Sequence, residues 1–329
     1  MTQKGSREAT HAYSWYDGDP DTLSNLLDGF LNNVPDTIND SSLPIPGARV
    51  VIAPHAGYSY SGPCAAWAYK ALDLSQAKRI FVLGPSHTYY LRGCALTKFA
   101  SYETPLGALS VDAGIIQELR NTGAVFRDIP SSSDLDEHSL EMHFPYLYKR
   151  ITQTFGLDDP ASYPTVVPIL VGDNNGAQEK EYGRLLAPYL RDPQNAFVVS
   201  SDFCHWGLRF NYTAYAPGGR VGALQKLQRG TERPTDPPIH ESIRQVDYQA
   251  IEAVESGDHD SFVDNLSKTN NSVCGRHPIG VMMAALEELA KETPEEGKYR
   301  FKFVQYQRSS LVEDVTDSSV SYASAYAIV

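Results

Sequence analysis

Short β-branched apolar runs alternate along this chain with stretches whose apolar residues recur at helical spacing. Runs at 49–53, 79–83, 165–171 and 196–201, with later ones at 301–306 and 319–328, are bounded by Pro, Gly or Ser and predict strands. Between them the spacing predicts helices over 21–31, with Asp21 able to cap, and over 62–73, 112–121, 138–154, 177–190, 240–256 and 278–291. In the fourth of these, Leu140, Phe144, Leu147 and Ile151 supply the apolar stripe. Strand, helix, strand order of this kind specifies an α/β layered domain, a central mostly parallel or mixed sheet flanked by helices with right-handed crossovers. No fixed-period repeat or low-complexity linker divides the chain, so residues 1–329 are read as one domain. The loosest segments, 216–220 and 231–238, are rich in Gly, Pro and charge and read as a surface excursion.

Composition narrows the function classes. With 28 Lys and Arg against 40 Asp and Glu the formal charge is −12, and no basic run forms a stripe, which argues against a nucleic-acid partner. The four cysteines, Cys64, Cys94, Cys204 and Cys274, are scattered with no CxxC pair, as in proteins of reducing compartments. The first twenty residues hold no apolar signal segment and no run reaches the roughly 20 apolar residues of a membrane span. A cytoplasmic location, with access to the nucleus, is the expectation. The triplet Asn211-Tyr212-Thr213 is then a chance match to the glycosylation pattern.

Chemistry enters at the strand ends. RVVIAPHAG ends on His55, RIFVLGPSH on His87, and AFVVSSDFCHWG places Asp202 and His205 after a third apolar run. Ligands collect at the carboxyl ends of parallel strands, so imidazoles set there repeatedly point to one metal or catalytic pocket. A fourth segment, SVCGRHPIG, adds Cys274 and His277 before a helical run. Such borderline-soft donors suit iron, copper or zinc. Asp202 and His205 are three apart and would share a face in a helical first turn, where the carboxylate could orient the imidazole or act as a base. Cys274 reads either as a small buried hydrophobe or, beside Arg276 and His277, as a thiolate lowered in pKa. In DLDEHSLEMHFPYLYKR, a helix from His138 puts Glu141 one turn on, and the two read either as a solvated helix start or as support behind a metal. Five residues turn through about 500°, so on one continuous helix His143 would point away from His138 and the two would not share an ion. His11, His240 and His259 are given structural roles only.

The strings REATHAYSWY, IAPHAGYSYSG, FVLGPSH, DEHSLEMHFPYL, VVSSDFCHWG, CGRHPIGV and DSSVSYASA resemble the Memo family, from about residue 7 to the C-terminus. The resemblance implies the fold of the LigB-type class III non-haem iron extradiol dioxygenases. It puts His55, His87 and Cys274 at the metal-ligand positions, for iron or copper, with Asp202 and His205 beside them as catalytic candidates. It places Trp15, Tyr60 and Arg209 along the same cleft, which the family associates with phosphotyrosine peptides. One departure limits the enzyme analogy: the dioxygenases hold Fe(II) with two His and a carboxylate, and Cys274 stands where that carboxylate belongs. Catechol ring cleavage is therefore not expected. No serine nucleophile elbow, P-loop or dinucleotide glycine fingerprint suggests another chemistry. Two readings follow, a redox-active metal-binding protein in metal homeostasis and cell signalling, or a phosphotyrosine-peptide adaptor using the same cleft without catalysis.

Overall fold

The apolar runs become the centre of one sheet. The computed structural model describes residues 5–122, 126–157 and 159–329. Among these, the strands of the main sheet are Ala48–Ala53 (β1), Arg79–Pro85 (β2), Cys94–Leu96 (β3), Phe126–Asp128 (β4), Thr165–Val171 (β5), Asn195–Ser200 (β6), His205–Gly207 (β7), Phe301–Arg308 (β8) and Ser318–Ile328 (β9). Their order is β7-β9-β1-β6-β2-β5-β3-β4, with β8 also paired to β9. The four long runs β1, β6, β2 and β5 lie parallel side by side, while β9 joins β1 and β3 joins β5 antiparallel, so the sheet is mixed. Every residue of β1 and β6 is buried, as expected for parallel strands covered on both faces.

The helices are Pro20–Asn32 (α1), Tyr58–Ala71 (α2), Ala113–Arg120 (α3), Ser131–Asp136 (α4), His138–Glu141 (α5), Phe144–Phe155 (α6), Gly176–Arg191 (α7), Ile239–Glu255 (α8), His259–Thr269 (α9) and Arg276–Glu292 (α10). Helix α2 packs on β1, β8 and β9, whereas α10 packs on β6 and β2 with α7 against it. That last contact is close enough that a Cβ on Gly183 would lie 2.6 Å from Ala284 Cβ. One contiguous core runs from Tyr16 to Ala327, and a smaller one gathers Trp206, Tyr215, Leu227, Ile239 and Val312 around the excursion expected at 216–220 and 231–238. Among the described residues, no helix is long and apolar enough to cross a membrane.

Three expectations are corrected. The cap of α1 is Asp19, whose side chain accepts from Thr22 N, and Asp21 lies inside the first turn. The helix expected over 138–154 is two helices, α5 and α6, broken at Met142 and His143. Pro145 forces this, because a proline deep in a continuous helix removes one hydrogen bond and clashes with the preceding turn, whereas at the first turn of α6 it fits. His205 begins the short strand β7, not a helical turn, so Asp202 and His205 do not share a helix face.

Candidate metal centre

The break between α5 and α6 has a direct consequence at the strand ends. It frees α5 to aim His138 at the loops after β1 and β2, and the ligand atoms of His55, His87 and His138 all lie within 4.8 Å of one another. The rings pack edge-on or stacked: His87 stacks on His138 at 4.5 Å, and His55 meets His87 at 5.2 Å and His138 at 5.3 Å. His55 is buried, His138 half-buried and His87 exposed, so the group opens to solvent on the His87 side.

Each imidazole is oriented from behind. His55 Nδ1 lies 2.6 Å from Ser200 Oγ, and that hydroxyl already donates to Ser139 O at 2.7 Å. Ser200 therefore accepts from His55 Nδ1–H, which leaves Nε2 as the bare nitrogen. His87 Nδ1 lies 2.9 Å from Glu137 Oε1, while its backbone N–H donates to Glu137 Oε2 at 2.6 Å, and His138 Nδ1 sits 3.6 Å from the same Oε1. This is the carboxylate–histidine arrangement by which proteins fix the tautomer of metal-binding imidazoles. Burial, and then the mutual repulsion of the neighbouring histidines, holds His55 well below the ordinary imidazole range and His138 down at about 4. Both are thus neutral and able to ligate at physiological pH. Burial opposes ionisation of Glu137, yet its hydrogen bonds from His87 and Ser139 hold it down at about 2, so the carboxylate behind the cluster stays anionic.

A second layer anchors α5. Arg7 is buried and donates to Glu141 at 2.5 Å, to Asp134 at 3.1 Å and to the carbonyls of Asp134, Leu135 and Glu137. Glu141 also accepts from Tyr16 at 2.6 Å and meets His11 Nδ1 at 2.7 Å. Glu141 therefore supports His138 as part of a buried network rather than as a solvated helix start. His11, read as structural only, belongs to this network, with its ring 6.0 Å from His138. Neither Arg7 nor Glu137 was foreseen, because their partners lie 134 and 50 residues away and no local pattern announces them.

The other expected site residues take specific places. Asp202 is buried and accepts from the His55 backbone N–H at 2.9 Å, and burial raises its pKa. His205 is oriented by carbonyls, with Nδ1 2.9 Å from Phe203 O and 3.1 Å from Ser272 O, and not by the Asp202 carboxylate. Cys274 Sγ lies 3.3 Å from His55 Nε2, outside the three-imidazole group. It reaches this position because Gly275 presses on the end of β6, where a Cβ would meet Ser200 O at 2.3 Å. The expectation of a thiolate is corrected: burial, and then Asp202, push the Cys274 thiol well up, and Arg276 turns instead to His277. Trp15 stacks on His138 at 4.4 Å. Tyr60 is 60% exposed at the start of α2. Arg209 is exposed over the Phe210 ring, which in turn meets His205 edge-on.

The Memo-like protein family matches residues 7–326 of this chain. The chain belongs to the Memo family. It is 42% identical to Protein MEMO1 of Homo sapiens over 317 residues, covering 96% of this chain and 95% of that protein. Protein MEMO1 of Danio rerio is 41% identical over 323 residues, with 98% and 97% covered, and a MEMO1 family protein of Schizosaccharomyces pombe is 40% identical over 325 residues, with 98% of each covered. A crystal structure of an uncharacterised Escherichia coli K12 protein aligns over 83% of this chain and 98% of its own, with a TM-score of 0.42 and 14% identity. In this member of the Memo family, the strand-end cluster offers imidazole nitrogens and a thiol at hand, with carboxylates Glu137, Glu141 and Asp202 held one layer behind. Such a donor set fits iron, copper or zinc and fits magnesium or calcium poorly.

Proposed function

We propose that this Memo-family chain binds one iron or copper ion at the ends of β1 and β2 and acts in redox chemistry or metal handling. The observation that carries the reading is the convergence of His55, His87 and His138 within 4.8 Å, with Nδ1 of His55 and His87 already committed to Ser200 and Glu137. His55 and His87 are the common pair, His138 is the third donor by proximity, and Cys274, set against His55 Nε2, is the further donor once its proton is displaced. A bound iron or copper supplies one-electron chemistry and Lewis acidity. Around it Glu137 holds the tautomer of His87, Ser200 that of His55, and His205 presents a bare Nε2 because its Nδ1–H faces two carbonyls. Asp202 accepts from the His55 backbone N–H and so fixes the turn that carries this imidazole. No carboxylate stands among the cluster's donors, so extradiol cleavage of catechols is not the reaction proposed.

Anaerobic loading followed by metal analysis tests this reading. The wild-type chain should retain about one iron or copper per molecule, and His55→Ala and His87→Ala should each lose most of it. His138→Ala against Cys274→Ser then decides which third donor matters more. Equal metal content in all four variants and the wild type would remove the proposal.

A second reading rests on exposed side chains outside the cluster. Tyr13 and Tyr60 are 83% and 60% exposed, and Arg209 is exposed nearby in sequence to His205, a combination suited to an aromatic, anionic peptide such as one bearing phosphotyrosine. Peptide affinity that survives metal removal but not Arg209→Ala would favour it.

A further inference from the structure

Behind the cluster lies a file of aromatic rings that neither reading uses. Trp15, stacked on His138, is followed in sequence by Tyr16, whose ring lies 5.4 Å from Tyr58. Tyr58 lies 5.3 Å from Tyr146, and Tyr146 stacks on Tyr69 at 4.6 Å with the planes 2° apart. The file ends at His143, whose Nδ1 is 2.6 Å from the Tyr69 hydroxyl. Tyr58, Tyr146, Tyr69 and His143 are all buried.

The end of the file is chemically unlike its middle. Tyr58 and Tyr146 donate their hydroxyl protons to the amide carbonyls Met142 O and Gly62 O, which cannot take a proton, while Tyr16, at the outer end, donates to the Glu141 carboxylate. Tyr69 faces an imidazole. If His143 donated from Nδ1, both the Tyr69 hydroxyl proton and the Nε2 lone pair would be left unpaired in the core. With Tyr69 donating, only the Nε2–H is unpaired, and Nε2 indeed has no partner. The hydroxyl is therefore the donor and the neutral Nδ1 the acceptor. Burial raises the Tyr69 phenol and holds His143 down at about 3, so the pair rests as phenol and neutral imidazole.

We propose that Tyr69 and His143 are a redox-active tyrosine–histidine pair, and that the closely spaced rings of Tyr146, Tyr58 and Tyr16, with Trp15 next in the chain and stacked on His138, carry an oxidising equivalent to it from the histidine cluster. The oxidant is an oxyl radical, the one-electron acceptor left when the O–O bond of a hydroperoxide breaks on taking one electron from a metal held at the cluster, the other half leaving as hydroxide; the inference rests on the proposed function for this source. The step is balanced within the pair. One electron leaves Tyr69 towards the vacancy at the outer end of the file, the O–H bond breaks, and the proton passes to His143 Nδ1. The products are a neutral phenoxyl radical and an imidazolium joined by the same hydrogen bond. A one-electron reductant of the thiol class, supplying the electron while the proton returns, restores the phenol. The phenol radical cation is a far stronger acid than any imidazolium, so even a buried imidazole takes the proton. The lengths of the gaps, ring to ring at 4.6–5.4 Å from Tyr16 to Tyr69, make each hop short.

The test separates the pair from its source. In metal-free full-length protein, flash-photogenerated ruthenium(III) tris-bipyridine serves as the oxidant and electron paramagnetic resonance as the readout. The expected result is a long-lived tyrosyl signal that narrows with ring-deuterated tyrosine, forms more slowly in deuterated water, and maps to the peptide of Tyr69 after spin trapping. Tyr69→Phe should lose the long-lived fraction. The mapping in wild-type protein decides the question even if that variant folds poorly. Trapping confined to surface tyrosines such as Tyr13 and Tyr60, or an unchanged signal in folded Tyr69→Phe, overturns the pair. With iron loaded, hydrogen peroxide should raise the same signal. Its absence while iron is stoichiometrically bound overturns the link to the cluster, whereas failure to bind iron sinks the metal reading and leaves the photochemical result to judge the pair.

Discussion

At the ends of β1 and β2, His55 and His87 each give Nδ1 to a protein partner, Ser200 or Glu137, and turn the other nitrogen toward a shared space. At the junction of α7, α9 and α10, His259 and His277 do the opposite. His259 faces Glu179 through Nε2 at 2.7 Å and Asp260 through Nδ1 at 3.3 Å, while His277 faces Glu179 through Nδ1 at 2.6 Å and Asp173 through Nε2 at 3.3 Å. Both regions combine histidine with carboxylate. In the first the carboxylate orients and the face away from it is open; in the second every ring nitrogen has a protein partner, and Glu179 on α7 links His259 of α9 to His277 of α10. Counting histidines therefore cannot distinguish a ligand set from a structural clasp, but counting uncommitted nitrogens can.

The sharpest break in this comparison is exchange of the two behaviours under mutation. His55→Ala or His87→Ala should abolish most iron or copper binding while leaving thermal unfolding of the metal-free chain close to wild type for the exposed His87. His277→Ala should leave metal content unchanged. Loss of stoichiometric metal from the His277 variant would show that the clasp and the cluster are one site.

Second in size is the cost of opening the clasp. His259 is buried, and Glu179, 4% exposed, would lose one of its two imidazole partners in His259→Ala. Breaking a buried charged pair leaves the remaining carboxylate short of a donor, and about 3 kcal/mol of stability should be lost. Urea denaturation measures this, and a loss under about 1 kcal/mol would mean that water or Lys180 replaces the missing donor. The same substitution should not alter metal affinity.

A smaller effect sharpens what the carboxylate behind the cluster does. Glu137→Gln keeps the volume but removes the anion that receives His87 Nδ1–H and the His87 backbone N–H. Loss of such an orienting carboxylate typically costs 10–100-fold in metal affinity, and about that factor is expected here. Affinity unchanged by Glu137→Gln but abolished by His87→Ala would make Glu137 a fold anchor for the loop and nothing more.

The two regions were unequally legible in the sequence. The strand ends carrying His55, His87 and Asp202 followed from short apolar runs bounded by Pro, Gly and Ser, because a parallel strand buried on both faces has to read that way. The third imidazole was misplaced by treating 138–154 as one helix. Pro145 is the local signal for the break, and with it read, His138 starts α5, aimed at the cluster, while His143 lies in the break as the cap of α6, aimed at Tyr69. Glu137, Arg7 and the Glu179 clasp join residues 50 to 134 apart, and pairings of that span are set by packing that no local periodicity encodes. Cys274 was placed near the cluster by family resemblance, yet its protonation follows from burial beside Asp202, a property of the fold and not of its neighbours Arg276 and His277 in the chain.

The smallest expected effect, and the one that tests the comparison most directly, is the sign of the pH dependence on the two sides of the fold. Burial alone would lower His259, but the hydrogen bond and charge of Glu179, with Asp260, more than offset it and raise its pKa. A raised imidazole contributes stability that is fully present below its unfolded value of about 6.5 and is lost as pH climbs through the folded value. His143, five residues beyond His138, is held by burial at about 3 and so stays unprotonated in the resting folded chain across this pH range. Its contribution is intact above about pH 6.5 and is lost as pH falls from there toward 3, because the unfolded chain then gains a proton that the folded chain refuses. Comparing each of His259→Asn and His143→Asn with the wild type in urea denaturation at about pH 5.5 and 8.5 isolates the two groups. The wild type's advantage over His259→Asn should shrink toward the alkaline end. Its advantage over His143→Asn should shrink toward the acidic end, with a slope of at most about 1.4 kcal/mol per pH unit in either case. Parallel trends in the two variants would mean that the imidazoles of the clasp and those behind the cluster sit in equivalent environments, and the distinction between spent and open nitrogens would lose its physical basis.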